Sequence, residues 1–177
     1  MLQTVESQPK DAALVRSAQG GDRAAFGVLY EKYSGMVHGI LLAHVEYRYA
    51  EDLMQDTFVK ALEQLPRLRE PGAFGGWLAA IARHIASDHH RGSRPMAEVT
   101  ETASNDRRPD GAAFAVLDLV KKLPESYRET LILRLVEGMT GPEIAARTGL
   151  APDSVRVNLC RGMKLLRSQL RPGQNDE

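Results

Sequence analysis

From Gly92 to Gly111 the chain reads GSRPMAEVTETASNDRRPDG, a run of Pro, Gly, Ser, Thr and charge with no sustained period of 2 or 3.6. A structureless stretch of about twenty residues is out of place inside one compact domain, so it divides the chain into two folded units. These are expected at 11–92 and 112–171, with 93–111 as a flexible linker. The full length, 177 residues, accommodates two small domains as readily as one ordinary one.

Both flanks carry helical spacing and almost none of the alternation of strands, which predicts an all-α protein of two small helical domains. In the first flank Asp22 can cap a helix with apolar positions Phe26, Leu29, Tyr30, Tyr33, Val37, Ile40 and Leu41, ending near Ala43 or His44. A second run, Tyr49 to Leu65, is stopped by Pro66. A third, marked by Phe74, Trp77, Leu78, Ile81, Ala82 and Ile85, runs through Asp88, His89, His90 and Arg91 to Gly92. The second flank divides into Leu117–Leu123, Pro124–Val136, Thr140–Thr148 and Pro152–Leu170.

Several function classes drop out on composition. Hydrophobic residues at 43% and charged residues at 26% are too balanced for a disordered chain or a membrane protein. The longest apolar stretch, Met36 to Val45, is half the length of a bilayer span and is broken by His38, Gly39 and His44, so no membrane insertion is expected. Met1 to Lys10 lacks the basic and apolar regions of an export signal, and the protein is expected in the cytoplasm. The single cysteine, Cys160, forms no internal disulfide; beside a leucine stripe it reads as a small buried hydrophobe rather than a redox sensor.

Thr140-Gly141-Pro142-Glu143 is a T-x-x-E capping box, and the helix it opens ends at Gly149, free to take the left-handed conformation that terminates helices. A new helix begins almost at once, and small Ala145 and Ala146 suit a close crossing. This is the spacing of a helix-turn-helix, whose second helix enters the major groove. Charge supports that reading. The whole chain is neutral, yet 112–171 holds ten bases against six acids, a net +4, and no acid follows Asp153 up to Arg171. Along the last helix Val155, Leu159, Met163, Leu166 and Leu170 form one buried stripe, leaving Ser154, Arg156, Asn158 and Arg161 for base edges and phosphates.

Three blocks in order, AEDLMQDTFVKAL at 50–62, GAFGGWLAAIARHIASDHHR at 72–91 and LPESYRETLILRLVEGMTGPEIAARTGLAPDSVRVNLCRGMKLLRSQL at 123–170, give the chain a wider likeness. From about Ala12 to Leu170 it resembles the extracytoplasmic-function sigma factors, DNA-reading subunits of bacterial RNA polymerase. The resemblance implies that the first block docks on a coiled coil of core polymerase, through Glu51, Asp52, Gln55 and Asp56. It implies that the second block melts and reads the minus-10 element as single strand, with Leu68, Arg69, Phe74, Trp77, Arg83, His84 and Arg91 as candidates; Trp77 suits a core position equally well. Separating base pairs forfeits about 1.4 kcal/mol of stacking per step, which pockets for flipped bases must recover.

The third block, by the same resemblance, reads the duplex minus-35 element through Ser154, Arg156, Asn158, Arg161 and Lys164, and binds the polymerase flap with its outer face. An anti-sigma protein as partner, no cofactor and no catalytic site are implied as well. The chain departs from the family pattern at His84, where asparagine is common, at Gly141-Pro142, and at Ala151, which replaces the usual Ser cap. Two rival readings remain at this point. His84, Asp88, His89 and His90 could form an acid/base or metal cluster, although one helix brings only two of them to one face. Alternatively, the chain is a conventional helix-turn-helix regulator, which would bind duplex DNA specifically without polymerase.

Overall fold

The computed structural model describes residues 7–92 and 111–170. Among the described residues eight α-helices form in chain order: α1 (Ser7–Gln19), α2 (Arg23–His44), α3 (Tyr47–Gln64), α4 (Phe74–Gly92), α5 (Gly111–Lys121), α6 (Glu125–Leu135), α7 (Gly141–Thr148) and α8 (Pro152–Leu170). Short 3-10 turns at Leu65–Arg67 and Pro71–Ala73 lead from α3 into α4. No strand occurs among the described residues, as the all-α reading expects. Of the expected linker, 93–110 lies outside the described residues, and its last position, Gly111, opens α5.

Helix α2 is the axis of the molecule. Asp22 caps it, its carboxylate accepting from the amides of Ala24 and Ala25 at 2.9 and 3.1 Å. Leu29, Tyr33, Met36, Val37, Ile40 and Leu41 are buried along it, and α1, α3, α4 and α6 all pack against it. Tyr33 meets Phe74 edge-on at 5.2 Å, and Phe74 meets Trp77 at 5.8 Å. Phe74 is 1% exposed, a burial that contributes about 2–3 kcal/mol.

Helix α1 was passed over by the sequence reading, because its anchors are long-range. Asp11, buried, accepts from Lys32 Nζ at 2.6 and 2.7 Å and from the Tyr33 hydroxyl at 2.9 Å. Burial, and then the Asp11 charge, push the Tyr33 phenol above its ordinary range. At the other end of α1 the Gln19 amide donates to the carbonyls of Leu65 and Leu68, fixing the loop before α4.

In the second half the capping box forms in full. The Glu143 amide donates to Thr140 Oγ1 at 3.3 Å while the Thr140 amide donates to Glu143 Oε2 at 2.8 Å. Gly149 closes α7 at φ +74°, the left-handed conformation expected there. Helix α8 packs on α6 at Gly162, where a Cβ would sit 2.9 Å from Leu131 Cδ1. Two expectations about α8 are corrected. Leu170, placed in the buried stripe, is half exposed because α6 is too short to cover the last turns of α8. Cys160 is also exposed, since the stripe through Val155, Gly162 and Leu166 turns it outward.

The apolar core runs without a break from one half into the other. Helix α6 lies against α2, and α7 against α4. Across the seam Arg83 of α4 grips Glu129 of α6 with two prongs, Nε to Oε2 at 2.9 Å and a terminal nitrogen to Oε1 at 2.6 Å. His44 lies 3.6 Å from the same carboxylate, His38 meets Glu137 at 2.8 Å, and Lys121 Nζ donates to the Val45 carbonyl at 2.8 Å. Burial alone would raise the Glu129 carboxyl, but the Arg83 hydrogen bonds and His44 beside it hold it at about 2.

Two expected outcomes follow from this packing. Thr140→Ala should lower stability by about 1 kcal/mol, a fall in Tm of roughly 2–4 °C, measurable by thermal melting. A carboxyl held below its ordinary value stabilises the packed state above that value and loses the contribution as it is protonated. Melting temperature should therefore fall as pH drops from 4.5 toward about 2, and Glu129→Gln should flatten that part of the profile; a variant that tracks the parent through the window would contradict the assignment.

Candidate nucleic-acid and polymerase interface

The four polymerase candidates share one face. Glu51, Asp52, Gln55 and Asp56 are exposed on α3, while Leu53, Thr57 and Phe58 of the same turns are buried. Amphipathic spacing dictates this: the apolar side is taken by α2 and α4, so the acidic and amide side faces solvent. It is a surface suited to a basic partner.

The minus-10 candidates do not all stand alike. Leu68 is half-buried and Arg69 exposed, both in the loop held by Gln19. Phe74 is core, packed between Tyr33 and Trp77, and has no surface to offer a base in this arrangement. Trp77 is half-buried and lines a groove of about 1130 Å³ between the start of α4 and the helix-turn-helix, with Gly76, Pro142, Ala146, Pro152 and Leu159 around it. Arg83 faces the other half and is committed to Glu129. His84 and Arg91 are exposed, four residues before and three after their shared partner Asp88, which they approach at 3.1 and 3.4 Å. Surface pairs of this kind release easily.

The minus-35 candidates lie together on α8. Ser154, Arg156, Arg161 and Lys164 are exposed and Asn158 is half-buried. Arg156 reaches back to Asp153 at 3.5 Å, a fully solvated pair, while Arg161 and Lys164 have no carboxylate partner among the described residues. The 19 residues of α8 span about 28 Å, enough to cross a major groove. Helix α8 follows the capped, glycine-terminated α7 directly, the order of elements in a helix-turn-helix.

Glu129 is the partner that sequence reasoning missed. It lies mid-helix among residues of helical spacing, and nothing local distinguishes it from a solvated acid. Among the described residues no three His, Cys, Asp or Glu side chains converge as a metal site would require, so the histidines of α4 form no such cluster with their neighbours.

Comparison with known proteins adds independent findings. The family models for Sigma-70 region 2 and Sigma-70, region 4 match residues 29–95 and 113–166. The RNA polymerase sigma-H factor of Pseudomonas aeruginosa is 31% identical, the match covering 94% of this chain and 96% of that one. The ECF RNA polymerase sigma factor BldN of Streptomyces coelicolor is 32% identical over 86% of this chain; the chain spans 63% of BldN. Among solved structures, CnrH in complex with the cytosolic domain of CnrY is 26% identical, with a TM-score of 0.64 over 93% of this chain and 99% of that one. Two family regions in their order, on a helical frame that ends in a basic helix-turn-helix, establish that the chain belongs to the sigma-70 family, among its extracytoplasmic-function members.

Proposed function

We propose that the chain directs RNA polymerase to promoters with two units, 11–92 and 112–171, joined through 93–111. The first docks on core polymerase through Glu51, Asp52, Gln55 and Asp56 and holds melted minus-10 DNA with the loop before α4 and with Trp77, Arg83, His84 and Arg91. The second lays α8 in the duplex minus-35 groove through Ser154, Arg156, Asn158, Arg161 and Lys164. The observation that carries this reading is the outer face of α8, basic and exposed, on a helix-turn-helix with both its cap and its turn formed. Chemistry of bond formation is assigned to polymerase, and this chain supplies recognition alone.

CnrH was solved with a cytosolic segment of another protein, and by that likeness we assign this chain a protein partner of the anti-sigma kind. No helix among the described residues is long and apolar enough to cross a membrane, which fits work in the cytoplasm beside polymerase.

Two measurements test the assigned surfaces. Replacing Arg156 and Arg161 with alanine should weaken promoter binding by the holoenzyme and flatten its dependence on salt by about two counterions. An unchanged salt slope would place the DNA on another face. Reversing the charge of Asp52 and enlarging Gln55 should abolish co-purification with core polymerase while the helical signal and Tm stay near those of the parent; normal co-purification would reject that docking surface.

A further inference from the structure

On the open side of α4 three charged or titratable side chains are linked in series. His84 Nε2 lies 3.1 Å from Asp88 Oδ2, and the other oxygen of that carboxylate lies 3.4 Å from a terminal nitrogen of Arg91. Arg91 also donates to Ser87 Oγ at 3.1 Å. Asp88 is thus approached at both oxygens. A carboxylate only accepts, so the nitrogen facing it, Nε2, is the one that carries the proton. In a neutral imidazole the other nitrogen is then an acceptor, and Nδ1 of His84 turns its lone pair outward.

The rest of this face leaves room for a base. Ala80, one turn before His84, is exposed and ends at its Cβ. Trp77, two turns before His84 and about 10 Å from it along the helix axis, is half-buried on the same side. Arg83, the adjacent cation, is turned to the other half and engaged by Glu129. Ser87 Oγ already accepts from Arg91, so Nδ1 of His84 is the side-chain acceptor left open in this turn. In solvent the His84–Asp88 pair is weak. A strand laid along α4 excludes water from it, and hydrogen bonds strengthen where water is excluded.

We infer that His84, positioned by Asp88, selects the class of base read on this face: adenine or cytosine, whose exocyclic amino groups donate to Nδ1, over guanine or thymine, whose carbonyl oxygens would meet it lone pair to lone pair. That a base lies here rests on the promoter reading above; which class of base it is follows from the ring. Asp88 touches no base. It is a positioning residue that fixes the tautomer and tilt of the imidazole, and Arg91 holds Asp88 in turn. An asparagine at this position could turn its amide either way and offer a donor or an acceptor. A histidine anchored through Nε2 offers one of the two, so the departure at His84 narrows the bases accepted and leaves recognition in place.

The test uses core polymerase joined to the full chain and a promoter located by mapping its protein-dependent starts. Fluorescent single-stranded oligonucleotides carry either strand of the minus-10 element with each of the four bases at each position, and binding is read at about pH 8, where imidazole is ordinarily neutral. At one position of one strand, A and C should bind about tenfold more tightly than G and T. His84→Ala should bring that ratio near one at that position alone. Asp88→Ala should do the same, because the released ring takes either tautomer; a residue that only supports the helix would weaken all four bases together and leave the ratio as it was. An Arg91 freed by the same change and reaching phosphate acts on every sequence alike, so it leaves the ratio untouched as well. Protein-dependent starts combined with a preference for G and T at the His84-dependent position, with no position that depends on His84, or with an unchanged ratio in Asp88→Ala would overturn the inference and leave the promoter reading standing. No protein-dependent start on any template would overturn the promoter reading and the base selection with it.

Discussion

Glu129 is an acid inside a helix–helix seam, where a lone carboxylate would be costly, and two α4 nitrogens reach it from the other half of the chain. Removing either partner strands the other, so the pair does less to add stability than to fix one arrangement. It requires α6 to lie close on α2, which Gly39 permits, and it requires α4 to run at a fixed height against α7, which Gly75 and Gly76 permit. The register of the two halves follows from that meeting, and with it the placement of the basic helix.

That register sorts the surfaces. The acidic side of α3 and most of the basic side of α8 face solvent, while Arg83 lies in the seam and Arg156, at the start of α8, borders the groove beside the beginning of α4. In a sigma-70 family member this separates two kinds of contact. The surface proposed for polymerase is exposed, whereas the residues proposed for the melted strand are divided: Arg69, His84 and Arg91 face solvent and Arg83 is engaged with Glu129.

Most of the fold could be read from local rules. Asp22, the Thr140 box, Pro66 and Gly149 each act within four residues of themselves, so the bounds of α2, α3, α7 and α8 were legible from the chain. Helix α1 was not, because Asp11 finds Lys32 and Tyr33 about twenty residues on and Gln19 finds carbonyls more than forty residues on. Exposure along α8 was misread at Cys160 and Leu170 for a similar reason: periodicity says which residues share a side, and the length of α6 says how much of that side is covered. Within the site, Phe74 and Arg83 have the residue types of DNA contacts, yet one is packed into the core and the other is engaged across the seam, and only tertiary contact decides between those uses.

The central claim is that this chain gives core polymerase a promoter preference that it lacks alone. Mapping transcript 5′ ends on genomic DNA, with core enzyme and with or without this protein, reads that claim directly. The account predicts new starts that depend on the protein and share a pair of upstream elements at fixed spacing. Identical starts in both reactions, together with tight sequence-specific duplex binding by the protein alone, would contradict it.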